Sequence, residues 1–280
     1  MNHPYAREGV DNAWCPGCGN FGILKLLEEV LADLALEKQQ VVAVSGIGQS
    51  SKTPYYIDVN MFGGLHGRAL PVATAIKAAN PELTVIAEGG DGDMYGEGGN
   101  HFMHAVRRNV DLVHIVHNNM IYGLTKGQAS PTSQRGQKTP VQVGGVINEP
   151  FNPLAVALSL NAGFVSRANV GNKEHAKSVI RAAFEHRGYA LVDIFQSCVT
   201  FNEINTYEWF KEHTYQLGDD YEPSDRVEAL RKAFENGPMP LGIFYKEERP
   251  TFEAQIRSSA TPLHRVSHDL DRLQKFFDTH

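Results

Sequence analysis

The sequence predicts an α/β fold, a mostly parallel sheet with helices on both faces. Two observations carry that prediction. Over the first two hundred residues, short apolar runs alternate with amphipathic stretches, the trace that strands and crossover helices leave in a chain. Several of the runs are apolar throughout rather than at every second position, as strands covered on both faces require.

Taken in order, GILKLLEEVLADLALEK (22–38) places Leu24, Leu27, Leu31 and Leu34 on one helical face. VVAVSGI (41–47) is a β-branched run ending in glycine and predicts a buried strand. GRALPVATAIKAAN (67–80) predicts a helix that tolerates Pro71 only in its first turn. LTVIAEGG (83–90) and VDLVHIVHNN (110–119) predict two further strands, with NHFMHAVRRN as the helix between them. NPLAVALSLNAG and KEHAKSVIRAAFEHR have helical spacing, and YALVDIF (189–195) reads as a last core strand. Beyond residue 200 the character changes to aromatic and acidic, as in TFNEINTYEWFKEHTYQLGDDYEPSD. A helix near 224–236, a strand at LGIFY and a helix near 267–278 are expected there. The expected division is a main domain over 1–200 and a C-terminal extension over 201–280, wrapped on the first domain or on a partner.

Composition excludes some classes of function. With 26 basic and 32 acidic residues the formal charge is −6, and no long basic run occurs, which argues against nucleic acid. The first residues, MNHPYAREGVDNAW, contain no apolar signal core, and no stretch has the length of a membrane span. The expected location is the cytoplasm. Three cysteines, at 15, 18 and 198, are an odd count that does not suggest a disulfide framework in a reducing compartment. The close pair in WCPGCG points to a metal or redox role.

The chemistry concentrates at VIAEGGDGDMYGEGGNHF (85–102), where an apolar strand runs into glycines carrying Asp91 and Asp93. In open α/β sheets ligands sit outside the carboxyl ends of the strands. Gly90-Asp91-Gly92, twenty-five residues, then Asn118-Asn119 is the spacing of one strand–helix–strand crossover. It brings Asp91 and Asn119 to the same edge of the sheet. A carboxylate, an amide oxygen and a backbone carbonyl are hard ligands suited to Mg²⁺ or Ca²⁺. Such an ion usually shares its shell with a phosphate-bearing ligand. Glycines 89, 90, 92, 96, 98 and 99 would let backbone N–H groups approach that phosphate. The helix start near Asn100 would add its positive end.

These segments carry a resemblance. GDG followed by NN at this distance is similar to the diphosphate-binding motif of thiamine diphosphate enzymes. WCPGCGN, VSGIG, GLHGRALPVATAIKAANP, GGDGD and NNMIYGLTKGQASPTS together resemble the β subunit of 2-oxoacid:ferredoxin oxidoreductases over about residues 10 to 200. The 2-oxoglutarate enzymes are the most similar, through GLHGRA and IYGLTKGQASPTS. The resemblance implies Mg²⁺ held by Asp91, Asn119 and the backbone of Ile121. It places Ser45, Gly46 and Ile47 beside the thiazolium, and Gly90, Gly92 and Asp93 at the diphosphate. Gly123, Leu124, Thr125 and Lys126 follow the asparagine toward diphosphate and substrate. Lys52 and His66 become candidates for contact with substrate carboxylates or cofactor, against the plainer readings of a solvated lysine and a structural histidine.

The implied reaction begins with attack of the thiazolium ylid on the keto carbon of a 2-oxoacid and loss of CO₂. Electrons then leave one at a time through an iron–sulfur cluster to ferredoxin, and coenzyme A takes the acyl group; the reverse direction fixes CO₂. An α subunit supplies the missing half of the thiamine site, so the chain alone is expected to bind cofactor poorly and turn nothing over. Cys15, Cys18 and Cys198 match three of the family's four cluster cysteines, and the fourth place is Gln49 in SGIGQSSK. The expectation is a [4Fe–4S] cluster with an unusual fourth ligand. Solvent at that iron, a three-iron cluster and no cluster at all stay open.

Other readings compete. CPGC could be a thioredoxin-like dithiol, but the strand that should precede it is missing, and twelve histidines leave a zinc site open. Gly46 to Thr53 lacks the second glycine of a Walker loop, and Pro54 follows it. Two alternatives in function remain, a two-chain non-oxidative thiamine diphosphate decarboxylase and a non-catalytic module binding a phosphate ligand.

Overall fold

The computed structural model describes residues 3–256, 261–267 and 269–279. Its frame is an eight-stranded sheet in the order β2-β1-β3-β4-β6-β5-β8-β7. The strands are β1 Val41–Ser45, β2 Asn60–Gly63, β3 Thr84–Gly90, β4 Leu112–Asn118, β5 Phe164–Asn169, β6 Tyr189–Phe195, β7 Thr214–Gln216 and β8 Met239–Lys246. From β2 to β5 every neighbouring pair is parallel; β8 pairs antiparallel with β5, and β7 runs parallel to β8, so these last two strands are reversed. Residues of β1, β4, β5 and β6 are buried without exception, which explains the mostly apolar runs of β1, β4 and β6.

Two apolar layers sandwich the sheet. On one face Ile23, Leu27 and Leu31 of α1 (Asn20–Asp33) meet Ile180 of α5 (Lys173–Glu185) over Ile86 and Val192. On the other, α2 (Ala69–Ala79), α3 (Gly99–Arg108) and α4 (Pro153–Ser159) bring in Leu70, Phe102 and Leu158. Fully burying each such side chain contributes about 1.5–3 kcal/mol. The α/β expectation is met. The first helix stops at Asp33, short of the expected Lys38, and Ala35 just beyond it adopts a left-handed backbone at φ 50°.

Three strands have no expectation behind them, β2, β5 and the three-residue β7. β2 is a short edge strand with mostly exposed residues, so no apolar run marks it. β5 reads FVSRAN, and its polar Arg167 is buried by pairing with Asp193 on β6. The segment beyond residue 200 joins the same sheet. β8 packs Leu241, Phe244 and Tyr245 inward, and α7 (Arg226–Ala233) adds Ala229 to the second core layer. The helix expected near 267–278 is α9, Leu270–Thr279; position 268 within that expectation lies outside the described residues. Among the described residues no helix is long and apolar enough to cross a membrane.

Candidate thiamine diphosphate and cluster site

The parallel register sets the site. Gly90 pairs with His117 across β3 and β4, so the strands end together and deliver Asp91 and Asn119 to one edge of the sheet. After Gly90 the chain does not enter an ordinary helix. It makes a wide π-helical turn, Gly92–Glu97, before α3 begins at Gly99; such turns recur at functional sites.

Asp91 is 1% exposed. Burial is the largest influence on its carboxyl, lifting it to about 6 against hydrogen bonds from Ser130 and Thr132 that lower it. Both hydroxyls, Ser130 Oγ and Thr132 Oγ1, donate to the same oxygen, Oδ2, at 2.5 Å. Thr132 Oγ1 also lies 2.9 Å from Asn118 Oδ1, and Asn118 Nδ2 donates to Asp193 Oδ1 at 3.1 Å. A buried carboxylate braced on one oxygen, with no lysine or arginine among its influences, fits a divalent cation as its counter-charge.

Asn119 and Ile121 form a bend in which the Ile121 N–H donates to Asn119 Oδ1 at 3.1 Å, and Met120 between them has φ 57°. Ser133 Oγ donates to the Met120 carbonyl, and Asn202 Nδ2 to that of Asn119. The segment that follows Asn119 therefore folds back to brace it.

Asp93 has a further job. Its Oδ1 accepts the Ile47 N–H at 3.0 Å and the Gly67 N–H at 2.8 Å, and lies 3.0 Å from His66 Nδ1. It thus fastens the loop after β1 and the GLHG turn to the cofactor edge. Burial raises its carboxyl, while those two N–H groups and His66 pull it down. A Cβ at Gly46 would lie 2.1 Å from the Asp93 carboxylate, and one at Gly92 would lie 2.2 Å from the Tyr122 ring. At these two positions close packing within the chain itself demands glycine. The Tyr122 hydroxyl in turn lies 3.1 Å from the Gly92 carbonyl and 3.0 Å from Glu97 Oε2, and its one proton is shared between these acceptors.

One cavity unites most of the expected residues. Ile47, His66, Gly90, Asp91, Gly92, Asp93, Asn119, Ile121, Gly123, Leu124 and Thr125 line it, and so do Cys15, Cys18, Cys198 and Gln49. Ser45, Gly46, Lys52 and Lys126 are not on its wall. Ser45 is buried with an unpartnered hydroxyl. Lys52 sits in the 3-10 turn Ser50–Tyr55, and Lys126 in a left-handed turn at φ 74°. His114 and His117 are core residues, His117 lying 2.7 Å from the buried Glu88. Sequence reasoning missed Ser130, Thr132, Ser133 and Asn202 as braces. The SPTS run carries three hydroxyl side chains a dozen residues past the asparagines, but its pairing with Asp91 exists only in three dimensions.

The cysteines are free thiols. The Cys18 N–H closes a turn onto the Cys15 carbonyl, and the Gly19 N–H reaches the Ser197 carbonyl, setting the CPGC turn beside Cys198. A Cβ on Gly19 would meet Gln196 at 2.6 Å, so this contact also needs glycine. Burial pushes the Cys18 thiol up to about 11, and the neighbouring Cys198 and Cys15 add to the rise. Among the described residues no three His, Cys, Asp or Glu side chains converge to hold a metal ion. A four-iron cluster places each thiolate on a separate iron, so its ligands surround a volume instead of meeting at a point. Three thiols around one cavity fit that donor set.

The comparisons with known proteins agree with this geometry. Residues 34–194 match the family described as "Thiamine pyrophosphate enzyme, C-terminal TPP binding domain", and 198–260 match the family of the C-terminal part of the pyruvate ferredoxin oxidoreductase beta chain. A 2-oxoacid:ferredoxin oxidoreductase subunit beta from Sulfolobus is 44% identical over 264 residues, covering 89% of this chain and 87% of the relative. A 2-oxoglutarate synthase subunit KorB from Archaeoglobus fulgidus is 36% identical, with 89% and 90% covered. A solved 2-oxoglutarate:ferredoxin oxidoreductase from Magnetococcus marinus, with 2-oxoglutarate, coenzyme A and succinyl-CoA bound, superposes at TM-score 0.92. It is 37% identical and the match covers 97% of this chain and 94% of that one. The chain therefore belongs to the thiamine pyrophosphate-binding β subunits of the 2-oxoacid:ferredoxin oxidoreductases, of the 2-oxoglutarate type.

Proposed function

We propose that this chain, assembled with its α subunit, oxidatively decarboxylates 2-oxoglutarate or a related 2-oxoacid to the acyl-CoA and CO₂. Electrons leave through an iron–sulfur cluster on Cys15, Cys18 and Cys198 to ferredoxin, and the reverse direction fixes CO₂ onto the acyl-CoA. The single observation that carries the reading is the shared cavity, whose wall carries Asp91 and Asn119 together with the three cysteines. The loop after Asn119 reaches the cysteines: a Cβ on Gly123 would lie 3.4 Å from Cys198 Sγ.

When bound, thiamine diphosphate supplies the electron sink that stabilises the carbanion left by decarboxylation. The residues of this chain do the rest of the work on their side of the site. Asp91, Asn119 and the Ile121 carbonyl would hold Mg²⁺ on the diphosphate. Asp93 keeps the Ile47 and Gly67 loops against it, and the apolar walls at Ile47, Ile121 and Leu124 limit water. His66, 36% exposed at its side chain and beside Asp93, is placed to meet a substrate carboxylate or the cofactor.

The test is to co-purify the chain with its α subunit under nitrogen and measure thiamine, magnesium, iron and sulfide together. Coenzyme A-dependent reduction of ferredoxin by 2-oxoglutarate is then followed in wild type and in Asp91→Ala. The reading expects all four components and near-complete loss of turnover in the variant. CO₂ release without ferredoxin reduction, from a preparation lacking iron, would replace it with a non-oxidative decarboxylase. Turnover untouched by Asp91→Ala would remove the thiamine assignment.

A further inference from the structure

The geometry points to Gln49 as the fourth corner of the iron–sulfur site, closing with a neutral amide oxygen the set that Cys15, Cys18 and Cys198 begin. This rests on the electron-transfer reading given above. Iron–sulfur clusters are commonly held by four thiolates, and the chain has only three cysteines. Gln49 lines the same cavity as all three.

Two local features aim it there. Its Oε1 is shielded from solvent yet has no hydrogen-bond partner, whereas a buried polar oxygen is normally satisfied. A ligand in the cavity would satisfy it. Its backbone is also locked to the CPGC segment: Trp14 Nε1, next to Cys15 in sequence, donates to the Gln49 carbonyl at 2.7 Å. Trp14 is fixed by edge-on packing against Tyr56 and Phe21, at 4.8 and 5.3 Å between ring centroids. Gly48, at φ 133°, takes the turn that leads into Gln49. The loop therefore stays in place whichever side chain occupies position 49.

The consequence follows from the donor. An amide oxygen is hard and neutral, while the iron of such clusters selects soft, anionic sulfur. Gln49 thus leaves the site one negative charge short of an all-thiolate set. That moves the reduction potential upward and makes this corner exchangeable with a small anionic ligand.

The experiment uses the assembled α and β subunits as wild type, Gln49→Cys and Gln49→Leu, purified without oxygen. Iron and sulfide are counted, and the dithionite-reduced samples are examined by electron paramagnetic resonance with and without added 2-mercaptoethanol. The potential is titrated in parallel. The expected result has three parts. The added thiolate changes the wild-type spectrum but not that of Gln49→Cys; the Gln49→Cys potential lies below that of wild type; and Gln49→Leu loses iron relative to sulfide. A Gln49→Leu protein matching wild type in iron, spectrum and potential would overturn the assignment while leaving the electron-transfer reading in place. Absence of iron and sulfide from wild type and Gln49→Cys alike would overturn both.

Discussion

Thr132→Val isolates one contact to Asp91, because valine keeps the shape of threonine and removes only its hydroxyl. That hydroxyl donates to Asp91 Oδ2 at 2.5 Å. A hydrogen bond to a charged group is worth about 1.5–3 kcal/mol, and each 1.36 kcal/mol corresponds to ~1 in pKa. Removing it should lift the Asp91 carboxyl from about 6 to roughly 7–8 in the cofactor-free protein. Near pH 7 the ionised fraction then falls from about nine-tenths to between a half and a tenth. A cation that needs the carboxylate binds about 2- to 10-fold more weakly there, and the deficit nearly closes at pH ~9, where both proteins are ionised. The assay is Mn²⁺ binding to the assembled subunits in the presence of thiamine diphosphate, read from the resonance of free Mn²⁺ across that range. Equal affinity at pH ~7 would refute the argument. So would a deficit of the same size at pH ~9, which would mean that the hydroxyl sets the loop and not the charge.

Three further expectations concern what holds the site up. Arg167→Met strips the buried Asp193 of its guanidinium, 3.0 Å away, and should cost about 3–5 kcal/mol by urea denaturation; a loss under ~1 kcal/mol would mean the pair is not a support. Gly92→Ala places a methyl group where the Tyr122 ring stands and should cost about 1–3 kcal/mol, with weaker thiamine diphosphate retention; unchanged retention would show that the ring moves freely. Burial holds His114 down to about 3, below its ordinary value. The folded chain keeps it neutral while the unfolded chain protonates below ~6.5, so stability is full above that point and lost as pH falls toward ~3. Between pH ~7 and ~4.5 this amounts to about 2–3 kcal/mol, and His114→Gln should show a loss smaller by that amount. Identical pH slopes for the two proteins would exclude the histidine as the cause.

What the sequence disclosed and what it hid divide along a physical line. The strands at 41, 84, 112 and 189 are buried on both faces, so their composition alone announces them. β2 and β5 escape because one is an exposed edge and the other hides its polarity in a pairing, Arg167 with Asp193, that no local pattern reveals. The same holds for the site. Asp91 and Asn119 stand at strand ends separated by one crossover, and the spacing of a crossover is legible in a linear sequence. Ser130 and Thr132 reach Asp91 from about forty residues away through a loop without regular structure, and nothing periodic links them.

Asp93 shows why such support residues matter for function. The family resemblance puts Asp93 at the diphosphate, and its carboxylate gathers Ile47, Gly67 and His66 from loops that follow different elements of the sheet. The loop it holds at Ile47 continues directly into Gln49, which in turn is tied to Trp14 and hence to the first two cysteines. A single chain of contacts therefore runs from Asp93 through the Ile47 loop to Gln49 and Trp14. On the function proposed above, a displacement of the GDG turn would be passed through Asp93 and the Ile47 loop to Gln49 and the segment carrying Cys15 and Cys18.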